Sequence, residues 1–341
     1  MPESVRIIVK EQSQTAEARR IARAWAVRAG MDAVLTEQVA IVATEAATNL
    51  LKHGGGGEVL LNTTEELDPN SQPGLELLAL DRGPGMANVE QCLRDGFSTG
   101  GSPGQGLGAM RRLSQYCDVY SGAGRGTAIL ARWHTDRKTR SAHHGDSERL
   151  EIGAVNVSKP GQDVCGDSWG IERHDGDCTV MVADGLGHGL DARNASIAAV
   201  RILHQFPEMD LLDMIDRVHT ALRSTRGAAV AVARIDTRRR VVTFAGAGNI
   251  AAQIAGGGVP ARHLVSVNGT AGLQISRPRE FSYPWPNDGV LIMNSDGLST
   301  SAGMEKQAGL ARRHASLIAG VLYRDYTRSN DDCTVVVIKE A

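Results

Sequence analysis

This chain of 341 residues has few aromatic residues and almost no net charge. Aromatic residues make up 4 % of it, and the formal net charge is −2 at pH 7, with an isoelectric point near 6.6. A nearly neutral chain has no general electrostatic attraction to nucleic acid or to an anionic membrane. We therefore expect proteins and small ligands, and no nucleic acid or membrane, as its partners.

Cysteine pairs and long apolar runs are also missing. The five cysteines form no C-x-x-C pair and no zinc-type spacing, and their odd number argues against a disulfide framework. The first residues, from Met1 to Arg6, lack the charged and then apolar pattern of a signal peptide, and no apolar stretch is long enough to span a bilayer. The sequence thus predicts a cytoplasmic location.

The length and one polar segment divide the chain into two predicted domains. A chain of this size exceeds one ordinary domain, and the stretch from Arg132 to Arg149 is polar and lacks apolar periodicity. We predict domains at 1–134 and 150–341 with a linker at 135–149. His143 and His144 fall in this linker, where solvated histidines are far commoner than metal ligands.

Patterning predicts an α+β protein. In the first domain, strand-like runs and three helical patterns indicate a mixed sheet layered by helices, an α/β sandwich. In the second, many strand-like runs with a few helical patterns indicate a β-sandwich flanked by helices.

Four aspartates follow or precede apolar, strand-like runs in the second domain: Asp167, Asp184, Asp296 and Asp331. A carboxylate at the end of a buried strand is costly unless it is paired or coordinates a metal. One Asp-Gly alone is typical of a turn, but four such carboxylates predict a shared divalent cation site.

The first domain carries polar groups suited to a nucleotide. Glu45 and Asn49 share one face of a predicted helix, with Lys52 one turn further. Asp81 ends an apolar run and can accept a hydrogen bond from an exocyclic amine, while Gly83 and Gly85 let a ligand approach. Three glycines before a helix can free backbone amides for phosphate; they are Gly104, Gly106 and Gly108.

In this order, and with Gly126-Thr127 after it, the set resembles the GHKL ATPases and within them the anti-sigma-factor serine kinase branch. The resemblance implies ATP and Mg²⁺ as cofactors, Asn49 as the Mg²⁺ ligand and Glu45 as the catalytic base or water-orienting group. It also implies that Asp81 reads adenine with Thr127 nearby, and that the glycines at 104–108 form the phosphate loop.

The aspartates of the second domain, with Gly185 after Asp184, resemble those of the PPM protein phosphatases, specifically the SpoIIE-type group. The resemblance implies two Mn²⁺ or Mg²⁺ ions bridged by Asp184, with the Gly185 carbonyl, Asp296 and Asp331 as ligands and Asp167 at or beside the metals. Asp332 is expected to support the site, His188 to be structural, and Lys159 to be a poor match to the phosphate-binding arginine of eukaryotic members.

Together the resemblances imply a bifunctional bacterial regulator. A serine/threonine kinase head and a metal-dependent phosphatase head would act on antagonist proteins of STAS type in a sigma-factor partner-switching or stressosome-like pathway. The alternative is a phosphatase regulated by a GHKL domain that senses nucleotide or docks a protein without transferring phosphate.

Overall fold

The computed structural model describes residues 3–68, 71–92, 106–135, 150–174 and 177–340. Contacts within the chain divide these residues into two compact units. The N-terminal unit comprises described residues 4–135 together with 312–324, and the C-terminal unit comprises the rest.

The N-terminal unit is built on one five-stranded sheet in the order β1-β2-β3-β5-β4. Every neighbouring pair in it is antiparallel, whereas we predicted a mixed sheet. The strands are β1 (Val5–Val9), β2 (Gly57–Thr63), β3 (Gly74–Leu80), β4 (Tyr116–Ser121) and β5 (Thr127–His134).

Helices cover one face of this sheet. They are α1 (Ser13–Arg28), α2 (Ala33–Gly54) and α5 (Gly106–Leu113); the short α3 (Thr64–Leu67) and α4 (Val89–Cys92) lie in connections. Asp32 caps α2 by accepting a hydrogen bond from the Leu35 amide at 2.8 Å. Gly55 ends the helix in the left-handed conformation, at φ 69°. Gln12 takes the cap position of α1, and Ser13 is its first helical residue.

The opposite face of the sheet is covered by α8 (Ala315–Tyr326), a helix from near the end of the chain. Alternate residues of a strand face opposite sides, and in β3 Leu75, Leu77 and Ala79 join the core under α1 and α2. On the other side, Glu76 accepts a hydrogen bond from Ser316 Oγ at 2.6 Å, and a Cβ at Gly320 would lie within 3.4 Å of Leu78 and Leu80. All seven residues of β3 are consequently buried.

The C-terminal unit contains two five-stranded sheets in the orders β15-β10-β9-β8-β7 and β12-β11-β16-β17-β6, plus a small hairpin. The strands of the first sheet are β7 (Asp167–His174), β8 (Asp177–Gly185), β9 (Ala228–Asp236), β10 (Val241–Ala247) and β15 (Glu280–Pro284). Those of the second are β6 (Leu150–Val157), β11 (Ala251–Gly256), β12 (Val259–His263), β16 (Val290–Asn294) and β17 (Cys333–Glu340), and the hairpin is β13 (Gly269–Thr270) with β14 (Gln274–Ile275).

Two helices flank the first of these sheets, α6 (Leu190–Gln205) and α7 (Leu211–Ala221). Their apolar faces form one core with β8 and β9, in which Ala199, Leu203, Val218 and Val230 are fully buried. The α+β class, with a helix-layered sheet and a helix-flanked β-sandwich, is confirmed. Among the described residues, no helix is both long and apolar enough to cross a membrane.

We predict that Ser316→Ala destabilises the N-terminal unit. Glu76 is fully buried and its carboxylate also faces Arg132 at 3.2 Å, so loss of the Ser316 hydroxyl removes a donor that water cannot replace. The expected cost is about 1–3 kcal/mol, which should lower the first thermal midpoint by several degrees. Ser301→Ala, at an exposed hydroxyl, is the matched control; equal midpoints for the two variants would contradict the prediction.

Candidate nucleotide and metal sites

In the N-terminal unit, helix α2 brings the reactive polar groups together. Glu45 and Asn49 point toward the start of α5: a Cβ at Gly106 would lie 2.8 Å from Glu45 Oε2 and 3.5 Å from Asn49 Oδ1. Both side chains are half-buried. A side chain at position 106 would therefore fill the space in front of this carboxylate and amide.

Asp81 lies at the other end of α2, beside the helix C-terminus. Its Oδ1 accepts hydrogen bonds from the amides of Gly83 at 2.8 Å and Thr127 at 3.1 Å. A Cβ at Gly54 would lie 2.6 Å from Asp81 Cβ, so only glycine allows the helix end to approach this closely. Burial raises the pKa of the Asp81 carboxyl, and the two amide bonds oppose that rise.

The two ends of this site are separated by a length that suits a nucleotide. Nine residues of helix separate Glu45 from Gly54, which is about 13 Å at 1.5 Å per residue. A base held at Asp81 and Thr127 can thus extend its phosphates along α2 toward Glu45 and Asn49. Lys52 is exposed on the same helix, and Gly104 lies outside the described residues.

Tight glycine contacts build the loop around Asp81. Gly85 and Gly126 adopt positive φ, at 68° and 67°, and a Cβ on either would lie within about 2 Å of a carbonyl oxygen, Gly122 O or Asp81 O. Gly83 accepts a hydrogen bond at its carbonyl from the Gly126 amide, at 3.0 Å. These contacts hold the Asp81 and Thr127 segments side by side.

In the C-terminal unit, the aspartates that we predicted to bind metal come from both sheets. Asp167 begins β7 and is paired in register with Asp184 near the end of β8, while Asp296 follows β16 and Asp331 precedes β17. A cleft of about 550 Å³ exposes Asp184, Asp296 and Asp331 together with Lys159 and His188.

Asp167 lies behind this cleft and does not line it. It is 3 % exposed, and its Oδ2 accepts a hydrogen bond from Ser295 Oγ at 2.6 Å. Ser295 in turn accepts from the Thr334 amide at 3.0 Å. Asp332 is also buried and accepts from the Lys159 amide at 2.8 Å, so its carboxylate supports the loop next to Asp331.

Repulsion between the carboxylates governs the electrostatics of the cleft. Burial raises the pKa of Asp184 well above its ordinary value, and the negative charges of Asp167, Asp296 and Asp331 raise it further. Burial and Asp331 likewise raise the pKa of Asp296. Each carboxylate is thus destabilised by the others unless positive charge lies between them.

The donor set fits a divalent cation of the Mg²⁺ or Mn²⁺ type. Such ions prefer oxygen ligands, and the three aspartates of the cleft supply only oxygen. Across the part of the chain that the structure describes, no three His, Cys, Asp or Glu side chains are already gathered as a metal-binding cluster. Only glycine fits at position 185, since a Cβ there would lie 1.9 Å from Ala192 O.

Two positioning groups escaped the analysis of the sequence. Asn249 donates a hydrogen bond through Nδ2 to Asp296 Oδ2 at 2.8 Å, and Ser295 holds Asp167 as described above. Asn249 lies in the turn after β10, where Gly248 has φ 105°. A polar residue that follows a strand and a glycine is a sequence signal for a functional turn. The sequence does not indicate that Asp296, 47 residues away, is the partner of Asn249.

Comparisons with known proteins agree with both halves. The family described as histidine kinase-like ATPase domain matches residues 8–133, and the family described as stage II sporulation protein E (SpoIIE) matches residues 174–340. The serine/threonine-protein kinase RsbT of Bacillus subtilis (strain 168) is 32 % identical over 114 residues, which are 33 % of this chain and 84 % of RsbT. This chain joins a GHKL-type ATPase domain to a SpoIIE-type PPM phosphatase domain.

The phosphatase half has relatives and solved structures of its own. The phosphoserine phosphatase RsbX of Bacillus subtilis (strain 168) is 29 % identical over 105 residues, 31 % of this chain, and the match spans about half, 53 %, of RsbX. One solved structure is described as the bacterial stressosome, a modular system that has been adapted to control secondary messenger signalling. It aligns with TM-score 0.53 and 27 % identity over 56 % of this chain and 100 % of that one. A crystal structure of RsbX with magnesium shares the fold, with TM-score 0.51 and 20 % identity over 58 % of this chain and 98 % of that one.

We predict that Asp81→Asn weakens ATP binding at least tenfold, or about 1.4 kcal/mol. The amide keeps an acceptor for Gly83 and Thr127 but places a donor where a carboxylate oxygen would meet the amine of adenine. Calorimetric titration with ATP and Mg²⁺ measures the change. Glu45→Gln, at the phosphate end, should keep its affinity within about threefold, and equal loss in both variants would refute the two-ended site.

We predict that Asp184→Asn stabilises the protein in chelator. Folding raises the pKa of the Asp184 carboxyl from the ordinary 3.8 to about 9. Between these two values, the wild-type folded state holds a proton that the unfolded state has released. Wild-type stability therefore falls as the pH rises through that window, and the advantage of the variant should grow from about pH 5 to about pH 8. Thermal midpoints measure it.

Added Mn²⁺ should reverse that order. A cation that binds only the folded state raises the midpoint of the wild type, whereas the variant lacks one of the three carboxylates of the cleft and should respond weakly. Asp216→Asn, an exposed position on α7, should behave as wild type in both conditions. An Asp184→Asn protein that gains as much from Mn²⁺ as wild type would contradict the assignment.

Proposed function

We propose that the protein is a two-headed signalling enzyme. The GHKL domain phosphorylates serine or threonine on an antagonist protein of STAS type, and the PPM domain removes that phosphate in a sigma-factor partner-switching or stressosome-like pathway. The two activities set the phosphorylation state of one substrate between them.

One observation carries the kinase half of this proposal. Glu45 and Asn49 both face Gly106 at the start of α5, close enough that a single methyl group there would touch the carboxylate. A nucleotide whose base lies at Asp81 places its terminal phosphate in this region. Asn49 is then the ligand for Mg²⁺, and Glu45 takes the proton of the attacking hydroxyl or orients it. The presence of this carboxylate beside the Mg²⁺-ligating amide favours phosphoryl transfer over nucleotide sensing alone.

The phosphatase half follows from the carboxylates of the cleft. PPM phosphatases depend on metal, and the bound cations lower the pKa of a water molecule and so supply the nucleophile. Here Asp184, Asp296 and Asp331 would hold two Mn²⁺ or Mg²⁺ ions, with the Gly185 carbonyl as a further ligand. Asn249 orients Asp296, and Ser295 fixes Asp167 behind the cleft.

The relatives support the choice of substrate class. RsbT is named as a serine/threonine-protein kinase and RsbX as a phosphoserine phosphatase, so opposing chemistry on one kind of phosphorylated residue is found in proteins similar to each half. The solved stressosome relative favours a pathway of that type.

A second function is favoured by helix α8. Residues 312–324 lie inside the segment that matches SpoIIE, yet they fold with the N-terminal unit. Arg82, next to Asp81, donates through Nε to the carbonyl of Arg324 at 2.9 Å, and Tyr323 donates to Glu58 at 2.8 Å. In this alternative the GHKL domain binds nucleotide or a protein and regulates the phosphatase without transferring phosphate.

The two functions predict different behaviour of a phosphoprotein substrate. A candidate STAS-domain protein is incubated with ATP, Mg²⁺ and Mn²⁺, and its phosphate content is followed to steady state. Asn49→Ala should leave the substrate unphosphorylated, because the triphosphate loses its Mg²⁺ ligand. Asp331→Asn should let phosphate accumulate several-fold above wild type, because the kinase acts unopposed.

Asp216→Asn is the matched carboxylate control and should equal wild type. The two-headed proposal fails if the substrate acquires no phosphate from ATP with wild type or with any variant. The regulated phosphatase stands if, in addition, a substrate phosphorylated beforehand loses its phosphate with wild type and keeps it with Asp331→Asn. If wild type also fails to remove that phosphate, both fail.

A further inference from the structure

Two exposed leucines lie on segments that border the carboxylate cleft. Leu186 lines the cleft two residues after Asp184 and is 51 % exposed, and Leu273 is 57 % exposed. We call this pair the apolar rim. Single exposed leucines are ordinary on protein surfaces, so their position relative to the cleft is what matters.

Gly227 connects the two leucines. Its carbonyl accepts a hydrogen bond from the Leu186 amide at 2.9 Å, and a Cβ on Gly227 would lie 3.3 Å from Leu273 Cγ. The Gly227 φ of 81° and an approach of 2.6 Å to Ala271 O also exclude any larger residue. This glycine allows the loop of Leu186 and the β13–β14 hairpin to meet.

The hairpin also forms part of the cleft. Gly269 and Thr270, its first strand, line the cleft, and the Leu273 amide donates to the Thr270 carbonyl at 3.1 Å. The apolar rim therefore continues directly from the wall that holds Asp184. Arg226 adds a charged edge, because its guanidinium lies over Gly187 and pairs with Asp191 at 2.9 Å.

Geometry limits what can cover this rim during catalysis. A phosphoserine side chain is short, so the substrate backbone must pass across the mouth of the cleft. Leu186 lies within about 7 Å of Asp184 along the chain, and an extended peptide advances about 3.3 Å per residue. The residues within about two positions of the phosphorylated one thus lie over the rim.

We propose that the apolar rim selects phosphoprotein segments carrying an apolar side chain within two residues of the phosphoserine or phosphothreonine. This inference rests on the proposed phosphatase function and adds its sequence preference. The apolar side chain of the substrate removes Leu186 and Leu273 from water, a contact that a small aryl phosphate cannot make.

The test compares two phosphopeptides with the full-length protein in Mn²⁺. They are identical except that the residues flanking the phosphoserine are leucine in one and serine in the other. Wild type should favour the leucine peptide about tenfold in kcat/KM, mainly through KM. Leu273→Ser should reduce this ratio to about two, and its rate on a small aryl phosphate should equal that of wild type.

Leu186→Ser should reduce the same ratio, which is independent of any general loss of rate. Val259→Ser is the matched control, because Val259 is 66 % exposed in β12 and does not line the cleft; it should keep the tenfold preference. Equal hydrolysis of both peptides by wild type, or an unchanged ratio of the two kcat/KM values in Leu273→Ser, contradicts the proposed role of the apolar rim. The proposed phosphatase function is unaffected by either result. Absence of activity on every phosphate ester removes the phosphatase function and the rim with it.

Discussion

The main electrostatic constraint on the C-terminal unit is the repulsion among carboxylates that the fold brings into and behind one cleft. Asp167 and Asp184 are paired across β7 and β8, and Asp296 and Asp331 come from the second sheet. Burial and mutual repulsion raise the pKa of Asp184 and Asp296, so these carboxylates carry a cost that a bound divalent cation would offset. The arrangement that costs stability without metal would thereby favour the binding of such a cation.

Neutral hydrogen bonds position these charges. Ser295 bonds Asp167, Asn249 bonds Asp296, and the Lys159 amide bonds Asp332. Each donor fixes one rotamer without adding charge that would compete with a cation, which is how supporting residues tune a metal site. Leu186 comes directly after β8, which carries Asp184, and Leu273 lies on the hairpin whose first strand lines the cleft, so the groups that would meet a substrate adjoin those that carry the carboxylates.

The N-terminal unit depends on the burial of both faces of its sheet. Glu76 is fully buried in β3, and Ser316 of α8 supplies one of its hydrogen bonds. A helix near the end of the chain thereby completes a domain at its beginning. The hydrogen bond from Arg82 to the Arg324 carbonyl then joins this helix to the loop of Asp81, the predicted base-binding end of the nucleotide site.

The local chemistry of this protein could be read from its sequence. Helix α2, the strand before each of Asp81, Asp184 and Asp296, and the glycines that need positive φ or close approach are local features that spacing and residue type specify. Strands such as β4 and β7 have no clear signal in the sequence, because Tyr116–Ser121 and Asp167–His174 mix polar and apolar residues without a clear period. Only the tertiary structure decided which groups meet: Asn249 with Asp296, Ser295 with Asp167, the segments of Leu186 and Leu273 with Gly227, and α8 with β3. These partners are distant along the chain, and a pattern of local periodicity holds no information about which distant segments pack together.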